Sequence, residues 1–460
     1  MMGVARCAIG AAAILAQSLF SIHAVQAAPK PVFSVDSIAE MQALGGKSAK
    51  TPALQVLSYH SGTSKGGGLF EWLPESTSQT DSCTIFAADG VTKGRWTRQL
   101  AGPLDATMCG AWWDNSHDDA AALTIAFQVA AAQRRTLSLP GGIGKVCSSV
   151  TPAAAVLVRG QGMGAYDAIS NSPTLVDGSC MKSGWVFDLT TSKGGGLVEA
   201  PKYYDMSIKT ANNSAPGGCI RWNTPAGGFT DNASSQRYMM NPYAARIFCA
   251  MQNGPGNQQI GFECSKCFDG DFSQNNIVYG KTSISLEGSD VMCIGCAGPN
   301  RVSYSSDALI KLVAHGTFGN MDRVVSNEIL YPADNHQRYD AFIYDSSRSS
   351  TIESNHIEGI IAGVQSVIHV SGGFSHAIMD NDIDVLTKLV EPAPHWLVAD
   401  GPFVNLRAFN NGTAGILMGP AYFNGAASQP NYNFGGVRQI ITHGGNALNG
   451  DVGFPNNGRQ

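Results

Sequence analysis

The period of the apolar positions changes along this chain, and the changes mark out its elements. From Ile38 to Leu44 apolar residues recur at helical spacing, which predicts a short helix. Short alternating runs follow at Leu54–Leu57, at Leu69–Trp72 and around Trp96, separated by turn residues, and these predict hairpins. Gly66-Gly67-Gly68 reads as a flexible turn, because no helix follows it to complete a phosphate cradle. Helical spacing returns after Asp118-Asp119, where Leu123, Ala126, Phe127 and Ala130 form one stripe. Asp118 is placed as the N-cap and Asp119 suits the positive end of the helix. Thr136–Leu139 then alternates as a strand, and Pro140-Gly141-Gly142 turns the chain.

From about residue 145 the pattern becomes periodic. Asn-x-Ile occurs at Asn275–Ile277, Asn327–Ile329, Asn355–Ile357 and Asn381–Ile383, with isoleucine separations of 52, 28 and 26 residues. These read as two coils, one and one, of about 26 residues each, and the same alignment sets Ile352 over Ile378. A fixed period is the mark of a solenoid, and three short strands joined by turns fill a coil of that length. The fold class read from this is all-β, a parallel β-helix.

Composition supports an exported chain. Charged residues are 14% of the 460, against roughly 25% in an average globular protein. The net charge of −5 argues against a nucleic-acid partner, which demands a long basic face. Arg6, the apolar run Ala8 to Phe20 and Val25-Gln26-Ala27 read as a signal peptide over residues 1–28. No later apolar run reaches membrane-spanning length, so no membrane partner is expected. Removing Cys7 leaves ten of the eleven cysteines, an even number suited to disulfides in an oxidising compartment, secreted or periplasmic. Cys264-x-x-Cys267 and Cys293-x-x-Cys296, 29 residues apart, read as disulfide-bonded pairs stacked on neighbouring coils; tetrahedral zinc is the alternative.

The run Cys109-Gly110-Ala111, Asp114, Asp118-Asp119, the Ala-rich helix and Pro140-Gly141-Gly142 resembles the entry segment of the pectate-lyase-like superfamily of right-handed parallel β-helices. In that family the helix caps the N-terminal end of the solenoid. The strings Gly66–Trp72 and Gly94-Arg95-Trp96 resemble the N-terminal module of tailspike-type polysaccharide depolymerases. After the signal peptide (1–28), the resemblance implies a small β-rich module (29–104), a β-helix (105–430) with a capping helix at 118–133, and a C-terminal cap or tail (431–460). It also makes a homotrimer possible beside a monomer. The Gly-His-Gly and Arg-Ile-Lys strings of polygalacturonases are absent, and His315-Gly316 is the nearest fragment.

Chemistry must lie on the outside of such a solenoid. If Asn355 and Ile357 face inward, alternation turns His356 and Glu358 outward. The register then builds a column of Glu328, His356 and Asp382, with Glu358 and Asp384 beside it. Paired carboxylates are what glycoside hydrolysis needs, one protonated and one ionised. Glu358 and Asp384 on adjacent coils suit the retaining separation of about 5 Å; Asp382 and Asp384, two apart on one strand, come nearer the inverting range. The same oxygens could instead hold calcium or simply be solvated. A second cluster, His336, Arg338 and Tyr339, occupies a projecting loop with Asp334, Asp340 and Asp345 nearby, while Tyr344 and His369 stack outward on successive coils. His336, Arg338, Tyr339, Tyr344 and His369, together with His356, offer substrate contacts, and the first three suit a β-eliminating lyase. Trp185, Trp222 and Trp396 could stack on sugars or fill the core. The expectation is a polysaccharide-cleaving enzyme, a glycoside hydrolase first and a lyase second, with a non-catalytic glycan-binding β-helix as the third reading. No metal and no cofactor are expected.

Overall fold

The computed structural model describes residues 33–164, 169–191, 196–224, 237–253, 256–315, 319–330, 341–361, 366–387 and 395–409, with short pieces at 411–414, 422–424 and 432–433. The expected signal peptide, and most of the expected C-terminal cap, lie outside the described residues.

Residues 33–98 make their own small sheet, in which Phe33–Ser37, Ala53–Ser58, Gly66–Leu73, Arg95–Arg98 and Ile85–Phe86 lie side by side in that order. The helix Ile38–Ala43 is capped by the Ser37 side chain and contributes Ile38 and Met41 to a core with Leu54, Val56, Phe70, Trp72 and Trp96. Gly66–Gly68 opens a strand and is not a flexible turn. A Cβ on Gly67 would lie 2.3 Å from the Leu57 carbonyl oxygen, so glycine is what lets these two strands close up. The buried Arg98 side chain lies 4.5 Å over the Phe70 ring and donates to Cys83 O (2.8 Å) and Gly66 O (3.0 Å). Burial lowers its pKa to about 10. The disulfide Cys83–Cys109 ties this sheet to the segment that leads into the second helix.

That helix, Ala120–Ala132, buries Leu123, Ala126, Phe127 and Ala130 as the stripe predicts. Asp118 accepts from Ala120 N (3.1 Å) and also from Cys147 N (3.0 Å). Asp119 does different work from that expected. Its carboxylate turns back to hold the backbone N–H groups of Trp112 (2.7 Å) and Trp113 (3.1 Å), and burial pushes its pKa up.

The rest is the parallel β-helix, part of a hydrogen-bonded network of 27 strands among the described residues. Each full coil has three faces. The first carries Gly184–Thr190, Gly217–Asn223, Gln259–Ser265, Thr282–Glu287, Ile310–Val313, Ala341–Ser346 and the leading part of Ser366–Met379. The second carries Asp271–Ser273, Cys293–Ile294, Asp322–Val325 and Ser349–Glu353. The third carries Asn276–Val278, Arg301–Ser303, Glu328–Leu330, His356–Ile361, Asp382–Thr387 and Gly412–Ala414.

The interior is built from vertical files of like residues. Phe187, Ile220, Phe262, Ile284, Ile310, Ile343 and Ile368 stack on the first face, and Ile277, Val302, Ile329, Ile357 and Ile383 on the third, all fully buried. Trp222 is fully buried and donates to Pro201 O, and Trp396 also packs in the core.

The corner between the second and third faces is closed by an asparagine ladder. Asn275, Asn300, Asn327, Asn355, Asn381 and Asn411 are buried one above the next, each of the first five donating its Nδ2 to the following Oδ1 at 2.8–3.0 Å. Steps of 25, 27, 28, 26 and 30 residues separate them. Gln274, Ser326, Ser354 and Asp380, each just before a ladder asparagine, adopt positive φ and turn the chain there.

All ten cysteines beyond Cys7 are paired: Cys83–Cys109, Cys147–Cys180, Cys219–Cys249, Cys264–Cys267 and Cys293–Cys296. The two C-x-x-C pairs are disulfides but are not stacked. Cys264 lies in register with Leu286 on the first face, and Cys293 with Asp271 and Arg323 on the second. Turns of unequal length separate the pairs, so 29 residues is not one vertical step here.

Candidate active site on the third face

Glu328, His356 and Asp382 occupy one register column, which starts lower down at Asn276 and Arg301 and ends at Gly412. Two residues along the same strands, Leu330, Glu358, Asp384 and Ala414 form a second column. The inward Ile329–Ile357–Ile383 file between the columns fixes the parity, since a strand turns alternate side chains to opposite sides. Glu328 and Asp382 are exposed; His356, Glu358 and Asp384 are half-buried. Leu330, directly beneath Glu358, is buried and gives the pair an apolar base.

His356 bridges the two columns. Its Nδ1 lies 3.1 Å from Asp382 Oδ2 and its Nε2 lies 3.4 Å from Glu358 Oε2. Burial opposes protonation of the ring, but the hydrogen bonds and charges of Asp382 and Glu358 outweigh it, so its pKa is raised. A carboxylate pair on adjacent coils, one member tied to a histidine whose pKa is raised, can deliver a nucleophile and a proton donor to the two sides of a glycosidic bond.

The other expected contacts divide. Tyr344 and His369 do sit on successive coils, in register and ring to ring at 5.2 Å, but edge-on and on the first face, where Lys311 lies 5.8 Å over the Tyr344 ring. His336, Arg338 and Tyr339, with Asp334 and Asp340, fall outside the described residues. Asp345 is not a loop carboxylate; it is fully buried inside the coil. There it accepts from Ser347 N (2.9 Å) and from the Ser350 hydroxyl, and its Oδ2 lies 3.2 Å from His376 Nδ1. His376 Nε2 lies 2.9 Å from Gly372 O. Burial works against the Asp345 charge, yet His376 and the hydroxyls prevail and its pKa is lowered. Serine, histidine and aspartate here have the chemistry of a nucleophilic triad, but all three are buried and the serine spends its proton on Asp345. The group is an internal strut.

Sequence reasoning missed one further cluster, on the first face lower in the solenoid. Asp188, Arg221, Glu263, Ser285, Lys311, Tyr344 and His369 form one outward file. Arg221 grips Asp188 with both Nε (2.9 Å) and Nη2 (2.7 Å). Above this pair, burial, helped by the charges of Glu287 and Asp188 and opposed by Arg221, raises the Glu263 carboxyl to about 7. The available signal was that each member directly follows an inward aromatic or isoleucine. Among the described residues no group of three or more His, Cys, Asp or Glu is arranged to hold a metal ion. Nor is any described helix long and apolar enough to cross a membrane.

Residues 34–101 match the family described as the phage tail protein small four-stranded β-sheet domain. The solenoid is similar to tailspike protein 2 of bacteriophage CBA120. Its enzymatically active domain has a TM-score of 0.57 and 12% identity, covering 85% of this chain and 56% of that one. The full-length protein, from an Escherichia coli O157:H7 bacteriophage, gives 0.58 and 11%, covering 81% and 47%. A tailspike of Acinetobacter baumannii bacteriophage Fri1, a capsular polysaccharide depolymerase, gives 0.50 and 12%, covering 85% and 75%. The chain spans about half the length of the first two structures. No curated protein matches it. These likenesses show the fold: a tailspike-type parallel β-helix behind a phage-tail-like β-module.

Proposed function

We propose that this protein is an extracellular enzyme that degrades a polysaccharide by hydrolysing its glycosidic bonds on the third face of the β-helix. The observation that carries the reading is the register pair Glu358–Asp384, with His356 linking Glu358 to Asp382. Adjacent coils set the paired strands about 4.8 Å apart, close to the carboxyl separation of retaining glycosidases.

In this reading Glu358, hydrogen-bonded to His356, attacks the anomeric carbon. Asp384 acts as the general acid and donates a proton to the departing glycosidic oxygen. It then removes a proton from the water that releases the sugar from Glu358. Asp382 holds His356 by its Nδ1, with Glu328 in register on the coil below. A glycan lying along the solenoid would meet the file of Lys311, Tyr344 and His369 only by crossing to the first face, so these are assigned to outer substrate contacts. The polysaccharide class rests on the fold shared with a capsular polysaccharide depolymerase. Export rests on the leader-like N-terminus and the five disulfides.

Incubation with a panel of bacterial capsular and plant polysaccharides tests this. New reducing ends without ultraviolet-absorbing unsaturated sugars are expected. Unsaturated ends would replace hydrolysis with β-elimination, and binding without shortening of the polymer would remove catalysis altogether.

A further inference from the structure

The first-face cluster borders an open cavity of about 450 Å³, a volume that accommodates a sugar ring with room for its linkages. Its wall is mixed: Trp185 and Ile260 are apolar, while Arg221, Gln258 and Glu263 are polar. Trp185 is almost wholly buried, with Gly218 packed against its ring and the Arg221 guanidinium 5.6 Å above it. It therefore serves as a floor. Two glycines let adjacent coils close up at the cavity wall. A Cβ on Gly217 would stand 2.0 Å from the Gly184 carbonyl oxygen, and both residues have positive φ.

We propose that this cavity is a saccharide-binding site that takes one uncharged sugar ring, its hydroxyls addressed by the Glu263 carboxyl, the Arg221 guanidinium and the Gln258 amide. The site is distinct from the third-face carboxylates. Glu263 lies three register steps below Tyr344, about 14 Å along the solenoid axis.

The preference for an uncharged ring follows from the charges present. Arg221 has already committed two of its donors to Asp188. The groups facing Glu263 are Asp188 and Arg221 on the coils before it, Ser285 in register after it, and Glu287, whose carboxylate lies 4.0 Å from His315. The other cation at the rim is Lys281, whose Nζ donates to Gln258 Oε1 (3.4 Å), so both cations beside the cavity already have partners, which favours a neutral ring over a uronate or a sulfate. With its pKa near 7, Glu263 supplies an O–H donor below neutrality and becomes an acceptor-only carboxylate above it. A sugar that accepts from that O–H binds only the protonated form, so apparent affinity falls about tenfold from pH 6 to pH 8.

Saturation-transfer NMR tests this on the full protein, with methyl glycosides of neutral hexoses and the corresponding hexuronates as probes. Saturable binding of at least one neutral glycoside is expected, weakening about tenfold over that pH interval, with weaker binding of its uronate. Glu263→Gln keeps a donor at every pH and should bind with no such pH dependence, while Glu263→Leu should not bind. No neutral glycoside binding by the wild-type protein, tighter binding of the uronate, or unchanged binding by Glu263→Leu would each overturn the proposal. In the hydrolysis reading the third-face carboxylates also meet a sugar, so the binding assigned to this cavity is the part that Glu263→Leu abolishes and that loses its pH dependence in Glu263→Gln.

Discussion

Replacing Asn355 by alanine probes the ladder that sets the register of the whole solenoid. Its Oδ1 accepts from Asn327 N and Asn327 Nδ2, both at 3.0 Å, and its Nδ2 donates to Val324 O and Asn381 Oδ1, both at 2.9 Å. Alanine removes all four bonds at a site that is 1% exposed, where water cannot replace them. Asn381 Oδ1 keeps the bond from Asn355 N (3.1 Å), but the two Asn327 donors and the Val324 carbonyl are left without these partners. At about 1–1.5 kcal/mol for each abandoned buried group, the loss is about 4 kcal/mol. Asn355→Asp should cost more at neutral pH, because it keeps the acceptor, loses the donor and buries a charge. Equilibrium denaturant unfolding, followed by circular dichroism, measures both. A loss below about 1 kcal/mol for Asn355→Ala, or an aspartate variant as stable as wild type, would refute the ladder as a structural element.

Other predictions follow from buried charge and cross-links. Asp345→Asn leaves His376 without its carboxylate and should lower stability by about 3 kcal/mol, measured by the same unfolding titration. Because the Asp345 pKa is lowered, its contribution is present above the ordinary carboxylate range and is lost as pH falls through the native value, so wild type and variant should converge in acid. Glu263 has the opposite sign. Its carboxyl, raised to about 7 from 4.5, holds its proton more tightly in the folded state, so stability falls as pH rises between those values. Glu263→Gln should therefore gain about 1–2 kcal/mol at pH 8, after discount for partial exposure, and nothing near pH 5. Cys219–Cys249 closes 30 residues within one coil, from its first-face strand to the end of the strand Tyr243–Ala250, and replacing both cysteines by alanine should cost about 3 kcal/mol in oxidising buffer. An unchanged unfolding midpoint in any of these variants would contradict the corresponding contact.

The third face was legible because a single residue type anchors it. A buried asparagine at each corner followed by an inward isoleucine gives an in-register repeat, and alternation then turns Glu328, His356, Glu358, Asp382 and Asp384 outward together. The 52-residue gap does hide one coil. Asn300 was missed because valine stands two places on at Val302, and Asn411 because Thr413 does. The same alternation would have sent Asp345 inward, since Ile343 faces in and Tyr344 out; reading it as part of a loop ignored the strand's parity.

The first face was not legible. Its inward file Phe187, Ile220, Phe262, Ile284, Ile310, Ile343 and Ile368 has steps of 33, 42, 22, 26, 33 and 25 residues, because loops of unequal length leave the coil at that side. Without a fixed period, the inward residue before each of Asp188, Arg221 and Glu263 is the only sequence signal that links them, and it sets no register. Nor does it reveal that a carboxyl between an apolar floor and neighbouring acids will hold its proton. The C-x-x-C pairs failed for the same reason, since their spacing matched a coil length while the intervening turns did not.

Hydrolysis by the third-face carboxylates is tested most directly by the rate of reducing-end release by Glu358→Gln on whichever polysaccharide the wild-type protein shortens. Removing the nucleophile should lower kcat by roughly 10³-fold or more. The unfolding midpoint should scarcely move, because Glu358 lies on the outer surface of its strand. A folded Glu358→Gln protein that shortens the polymer at the wild-type rate would contradict the account.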